Sequence, residues 1–303
     1  MRSEIYKLPG PVGKMPYGIK KQRRSKIIRG LVVSIELERK QGLIAGKGQL
    51  PVELAKNAKE NGFDVVAISL SDDNKKELKK YCAKVYDFAP GQVQKIVDTL
   101  KADEIKQLTF IGKVEKSLVV KRPKFDALAI EYLKQATRLN DDAIMLFIVD
   151  ELSKIGITVL DQTIFIKNLM VPRGVLGKVQ PSEAQLSDVE YGYKIAKSMG
   201  ELDIGQSVVI KDRMIMAIEA IEGTDKCIKR GCKLGKKDSI IVKVSKPKQD
   251  KRFDIPAFGL DTLKNMKKYN ANLIAVEANE TILVDAKKTI EFADKNNIIV
   301  MAV

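Results

Sequence analysis

The 303-residue chain contains no histidine. That absence removes the commonest general base and the usual zinc ligand together. Any hydrolytic chemistry must then run on carboxylates, ammonium and guanidinium groups, and a hard cation bound through oxygen. Only three cysteines occur, Cys82, Cys227 and Cys232. They are too few for a disulfide framework, and without histidine Cys227 and Cys232 cannot complete a structural zinc site. They read as free thiols of a reducing cytoplasm. No run approaches the roughly 20 apolar residues of a membrane span. The stretch 30–37 is too short for a signal-peptide core followed by small residues. On these grounds the expected location is cytoplasmic.

Apolar residues make up 45% of the chain, enough for two domains with separate cores. The net charge is +15, but it is unevenly placed. Residues 1–40 hold eleven Lys and Arg against three Glu, a net of +8, so the remainder carries only +7. No aromatic residues interleave with the cations, so no nucleic-acid partner is expected. Proline and glycine recur from Pro9 to Gly18, followed by Lys20, Lys21, Arg23, Arg24 and Lys26. Residues 1–40 read as a basic, disordered extension, helical only beyond about Lys26. Such an arm suits a membrane surface or a polyanion, and equally a dispensable extension.

From Gln41 the pattern alternates. Strands are expected over 42–45, 63–70, 107–111 and 158–160, and helices over 51–61, 92–100, 125–137 and 142–155. Strands alternating with helices imply a Rossmann-like parallel sheet with crossover helices over residues 41–170. Met170-Val171-Pro172-Arg173-Gly174 breaks that rhythm. Residues 171–303 then read as a mixed α/β domain. It opens with a helix at Ser182-Glu183-Ala184-Gln185 and has a hairpin turn at Lys211-Asp212-Arg213. Strands follow at 239–244, 273–276, 281–284 and 298–303, and helices at 260–269 and 287–296.

Several loops carry chemistry. Gly42-x-x-x-Gly46-x-Gly48 lies between a strand and a helix, where backbone N–H groups can meet an anion, though an ordinary tight turn has the same composition. It is neither a Walker loop nor a complete dinucleotide fingerprint, and Ser69 and Ser71 stand where a ribose-binding acid would end the second strand. Gly112-Lys113 closes another parallel strand, at the edge where open α/β sheets bind ligands. Asn140-Asp141-Asp142 precedes an apolar helix and also suits simple capping. Glu222-Gly223-Thr224-Asp225 ends an apolar run, with Asp225 placed to cap the next helix. The sharpest segment is Lys246-Pro247-Lys248-Gln249-Asp250-Lys251-Arg252-Phe253-Asp254-Ile255-Pro256. It sets cations, carboxylates and an amide between two backbone-restricting prolines. Carboxylates on two loops suit Mg²⁺, and the lysines and arginine beside them suit phosphate.

These motifs together resemble the UDP-2,3-diacylglucosamine pyrophosphatases of lipid A biosynthesis, in the class unrelated to metallophosphoesterases. The resemblance rests on Gly42–Pro51, Phe110-Ile111-Gly112-Lys113-Val114, Arg122-Pro123 and Asn140-Asp141-Asp142 in the first half. In the second half it rests on Pro181-Ser182-Glu183-Ala184, Asp203-Ile204-Gly205-Gln206, Glu219–Asp225, Lys246–Pro256 and Ala275-Val276-Glu277-Ala278. Asn140 stands where the family carries glycine, and residues 1–40 have no counterpart. The other enzyme class for this step is rich in histidine ligands, which this chain lacks.

The resemblance implies hydrolysis of UDP-2,3-diacylglucosamine to 2,3-diacylglucosamine 1-phosphate (lipid X) and UMP, using Mg²⁺, with water attacking the α-phosphorus. On this reading Asp250 is the catalytic carboxylate, and Asp250, Glu222 and Asp225 serve the metal. Gly46, Gly48, Lys113, Lys246, Gln249 and Arg252 bind substrate. The partners expected are the lipidic UDP-sugar, the inner-membrane surface through peripheral contact, and a second copy of the chain as a homodimer. Two rival readings are an enzyme binding NAD(P) or a nucleotide sugar through the first domain, and a basic, non-catalytic adaptor.

Overall fold

A computed structural model describes residues 24–28, 31–114, 124–136 and 141–303. The proline- and glycine-rich segment, Arg122-Pro123 and Asn140 lie outside the described residues. Strands β1 (Arg24–Ile28) and β2 (Leu31–Ile35) pair antiparallel, with Ile28 opposite Leu31. A helix was expected beyond Lys26. The isoleucines and valines of these ten residues are β-branched and stiff at χ1, which favours extended chain over helix.

The chain divides into two compact units. Among the described residues, the first runs to Ile166 and includes Lys251–Phe253; the second comprises Lys167–Asp250 and Asp254–Val303. In the first unit lie β3 (Lys40–Ala45), α1 (Leu50–Glu60), β4 (Asp64–Ser69), α2 (Lys75–Tyr81) and β5 (Lys84–Asp87). α3 (Val93–Ala102), β6 (Gln107–Ile111), α4 (Ala127–Ala136), α5 (Asp141–Lys154) and β7 (Thr158–Val159) follow. The five strands are parallel, in the order β5-β4-β3-β6-β7. This is the Rossmann-like order, with its reversal point between β3 and β6. Residues 41–45 and 65–69 are buried without interruption, as expected of strands covered on both faces. Ile44, Ile68, Leu100 and Leu108 share one core beneath the helices, each fully buried Leu or Ile contributing about 1.5–3 kcal/mol.

At the reversal point the loops after β3 and β6 are joined by backbone. Lys47 N donates to Lys113 O (2.8 Å), Lys113 N to Lys47 O (3.0 Å) and Gly46 N to Ile111 O (2.8 Å). Gly112 has φ +95°, and a Cβ there would sit 2.8 Å from Gly46 C. Both glycines are therefore required by close approach of two backbones.

The second unit holds β8 (Gly174–Val175), α6 (Glu183–Glu201), β9 (Ser207–Lys211), β10 (Met214–Ile218), α7 (Thr224–Gly235) and β11 (Ser239–Lys243). It continues with β12 (Ala257–Phe258), α8 (Leu260–Lys268), β13 (Ala271–Val276), β14 (Ile282–Leu283), α9 (Ala286–Lys295) and β15 (Ile299–Ala302). Six strands form a mixed sheet, β10-β9-β11-β13-β15-β8, and β12 pairs with β14 apart from it. One face packs on α6 and the other on α7, α8 and α9. The Ser182 capping box is formed, with reciprocal bonds to Gln185. The expected hairpin turns at Asp212 and Arg213 (φ +49° and +57°), the positive-φ pair of a two-residue hairpin. Asp188 holds it by accepting from Asp212 N (2.9 Å) and Arg213 N (2.6 Å).

Gly112→Ala adds a Cβ in both a left-handed conformation and a backbone contact. Thermal unfolding should show the first unit destabilised by about 2–4 kcal/mol, a fall in Tm of several degrees; an unchanged Tm would mean the two loops separate freely.

Candidate active site

Topology gathers the second-half motifs at one edge of the mixed sheet. β10 and β11 both run antiparallel to β9, and β13 runs parallel to β11. The carboxyl ends of β10, β11 and β13 and the amino end of β9 therefore share an edge. That edge carries Asp203–Gln206, Glu219–Asp225, the start of the Lys246–Pro256 loop, and Glu277. Parallel strands conventionally present ligand-binding loops at this edge.

Glu277, just past β13, organises the loop after β11. Its Oε1 accepts from Tyr193 Oη and Lys197 Nζ, both at 3.0 Å. Its Oε2 accepts from Ser245 N (2.8 Å) and Lys197 Nζ (3.1 Å). Lys197 also donates to Ser245 O at 2.9 Å. Desolvation, together with the Glu277 bond, raises the Tyr193 phenol above its ordinary value. From Ser245 the chain of bonds continues: Oγ donates to Gln249 Oε1 (2.8 Å), and Gln249 Nε2 donates to Asp254 Oδ2 (2.5 Å). Gln249 Oε1 also accepts from Lys246 N at 2.8 Å. The amide of Gln249, expected to bind substrate, is thus the internal brace of its own loop. Asp254 N donates to Asp250 O at 3.0 Å, closing a turn that begins at Asp250.

The structure adds a buried group that sequence reading passed over. Lys243 is only 8% exposed, at the end of β11, and its Nζ donates to Thr224 Oγ1 at 3.2 Å. Thr224 Oγ1 in turn donates to Glu219 Oε1 at 2.9 Å. Glu219 is 7% exposed, and its buried Oε2 accepts no hydrogen bond among the described residues. Burial pulls the Lys243 ammonium below its ordinary value, while Glu219, Asp254 and Asp225 oppose that shift. The charges of three carboxylates therefore favour the buried cation. The available signal was a lysine closing a largely apolar strand, β11.

The remaining expected residues are placed as follows. Glu222 pairs with Arg230 and accepts from Ala220 N at 3.2 Å; the Arg230 guanidinium holds its carboxyl below the usual range. Gly223, with φ +82°, is the N-cap of α7, so Asp225 lies in the first turn rather than capping it. The Asp225 carboxylate accepts from Asn265 Nδ2 at 3.3 Å. Lys246 Nζ pairs with Asp203 at 2.7 Å. Arg252 belongs to the first unit, where Lys251 O accepts from Gln162 N at 2.9 Å. Gly46, Gly48 and Lys113 lie at the carboxyl edge of the parallel sheet. There the peptide N–H groups of Gly46, Lys47 and Lys113 bond to other backbone, and Asn74 Nδ2 donates to Gly46 O (2.6 Å) and Gly48 O (3.1 Å). Dinucleotides of Rossmann-like folds lie at this reversal point; here backbone bonds bridge it, which counts against the NAD(P) reading.

The donors at the mixed-sheet edge are hard carboxylate oxygens, which suit Mg²⁺. Among the described residues no group of three Asp, Glu or Cys side chains stands ready to hold a metal ion alone. The fit is to an ion that keeps several waters and takes phosphate oxygens, the usual habit of Mg²⁺. Among the described residues no helix is long and apolar enough to cross a membrane.

The model of the LpxI N-terminal domain matches residues 40–169, and that of the LpxI C-terminal domain matches 172–301. The UDP-2,3-diacylglucosamine pyrophosphatase LpxI of Caulobacter vibrioides is 31% identical over 281 residues, covering 88% of this chain and 98% of that protein. Among solved structures, the biotin carboxylase domain of Hydrogenobacter thermophilus 2-oxoglutarate carboxylase aligns over 57% of this chain and 35% of its own. Its identity is 16% and its TM-score 0.25, a likeness that bears on neither fold nor function.

Glu277→Ala removes the anchor of Ser245 and leaves Lys197 without its carboxylate. Lys197 is 27% and Glu277 15% exposed, so the loss is discounted for solvent to about 1–2 kcal/mol. Urea unfolding should show that loss, and trypsin should cut faster between 246 and 252; an unaltered cleavage rate would mean the loop holds without Glu277.

Proposed function

The chain belongs to the LpxI family, both of whose domain models it matches, and from that premise we propose that it hydrolyses the pyrophosphate of UDP-2,3-diacylglucosamine to 2,3-diacylglucosamine 1-phosphate and UMP, in lipid A biosynthesis. The observation that carries the proposal is the match to a curated pyrophosphatase over 98% of that protein's length. The convergence of the family's second-half motifs on one sheet edge supports it.

In this reading water attacks the α-phosphorus. Its new P–O bond forms as the bond to the bridging oxygen breaks, and the acylated sugar 1-phosphate leaves with the electron pair. The pyrophosphate repels water, so its charge must be offset. Lys246 and Arg252 would grip phosphate oxygens, Arg252 through its planar fork. Asp250 would orient the attacking water and take up its proton. Gln249 acts chiefly by fixing the backbone on which Asp250 sits. Lys243 would lend positive charge from below, its position set by Thr224 and Glu219. Asp250 and Asp225 would hold Mg²⁺, with Glu222 reaching it only through water. When bound, Mg²⁺ supplies neutralisation of the pyrophosphate and of charge on the leaving phosphate. The lipidic substrate would bring the protein to the cytoplasmic face of the inner membrane, where the basic residues 1–40 favour anionic lipid.

Asp250→Asn should lower kcat for UDP-2,3-diacylglucosamine by about 10³-fold or more, with thermal unfolding unchanged. Turnover at the rate of the unaltered chain would remove Asp250 from the mechanism.

A further inference from the structure

We propose that the mixed-sheet edge of the second unit, which carries the candidate active site, is also a docking surface for a bilayer rich in anionic lipid. The inference rests on the reading above that the substrate is a diacylated sugar nucleotide, a molecule that bilayers hold.

Large apolar side chains are left in solvent at this edge. Ile221 is 97% exposed and Leu202 72%, the two highest values among the described large apolar residues; Ile204 and Ile218 are exposed as well. Leu202 and Ile204 lie in the turn after α6, Ile218 ends β10, and Ile221 sits in the turn that follows. The two turns adjoin, since a Cβ on Gly205 would fall 2.2 Å from Glu219 O. The first is fixed by bonds from Asp203 N to Gly200 O (3.2 Å) and from Ile204 N to Met199 O (3.1 Å). Single apolar residues are ordinary on a surface, but a group of four on adjoining turns marks a contact site.

The cations beside them select the partner. Residues 224–237 hold six Lys and Arg against one Asp, a net of +5. On α7, Lys226, Lys229, Arg230 and Lys233 share the exposed face, opposite the buried Cys227, Ile228, Gly231 and Cys232. Two acids at the edge are answered from within: Asp203 pairs with Lys246 at 2.7 Å and Glu222 with Arg230. Apolar tips flanked by cations match a bilayer interface, where the acyl boundary takes the tips and anionic headgroups take the cations. A second protein fits less well. Even four wholly bared Leu or Ile side chains fall short of the roughly 800 Å² per partner that a stable protein interface buries. The turn bearing Ile221 leads directly into Glu222 and Asp225, so docking would set these carboxylates at the level of the headgroups, where a lipid-anchored pyrophosphate lies.

The test uses the full chain, which has no tryptophan, so that Ile221→Trp supplies a single reporter. On vesicles of phosphatidylglycerol and phosphatidylcholine in equal parts, its emission should shift to the blue and be quenched by lipid brominated on the acyl chains. Lys229→Gln with Lys233→Gln should weaken cosedimentation of the full chain with these vesicles about 20-fold, at about fivefold for each cation. Leu202→Ser with Ile221→Ser should weaken it about tenfold or more. Both pairs should turn over the diacyl substrate in detergent micelles as the unaltered chain does. Should either pair fail to fold, the reporter decides alone. Emission unmoved in a chain that sediments with the vesicles, or binding by both pairs equal to that of the unaltered chain, would assign the contact to other residues and overturn the proposal. Failure of the unaltered chain to bind the vesicles would overturn it too. Vesicle binding retained while the apolar pair converts a dimer to monomers would give the face to a second copy of the chain and overturn it. The emission shift in a protein that does not hydrolyse UDP-2,3-diacylglucosamine upholds the docking surface and overturns the hydrolase reading; hydrolysis without the shift does the reverse.

Discussion

The Glu277 carboxylate is the constraint on which the candidate site depends. It receives four hydrogen bonds from three residues on two separate elements, α6 and the end of β11. A carboxylate so engaged fixes Ser245, and Ser245 fixes Gln249. The next residue, Asp250, is thereby held without any regular secondary structure beneath it. Charge-assisted bonds of this kind are about twice as strong as neutral ones, and they are partly shielded from solvent here. A loop rich in lysine would otherwise repel itself and spread.

Lys243 is the second organising charge. A buried ammonium is costly unless it is hydrogen-bonded and its charge offset, and here the Thr224 hydroxyl accepts from it and the charges of three carboxylates favour it. Histidine is dispensable in such a centre. In the proposed mechanism cations would offset phosphate charge, a carboxylate would handle the proton, and a hard metal ion would need only oxygen.

Much of the fold was legible, and the failures have physical causes. β6 was expected at 107–111 and lies there, because its apolar run is bounded by polar residues on each side. The capping box at Ser182 and the turn at Asp212-Arg213 were readable because local hydrogen bonds and positive φ leave compositional marks. Helix α2 left none: Lys75–Tyr81 has Leu78 as its one buried side chain, so no apolar periodicity exists to be seen. β5 is four residues long, two of them exposed and two half-buried, too short and mixed to stand out. Of the residues proposed for the site, Asp250 and Asp225 are candidates on charge clustering in loops alone. Lys243 and Glu219 are not, because what marks them is burial and a sheet order that places β9 between β10 and β11. The roles of Glu277 and Gln249 depend on contacts 32 and 4 residues away respectively, of which only the shorter is local enough to guess.

The measurement that bears most directly on this account is turnover of UDP-2,3-diacylglucosamine by the full chain in ¹⁸O-labelled water, with and without EDTA. The account predicts Mg²⁺-dependent release of UMP carrying the label and of unlabelled 2,3-diacylglucosamine 1-phosphate. Label in the sugar phosphate would contradict attack at the α-phosphorus, and undiminished turnover in EDTA would contradict a site completed by Mg²⁺.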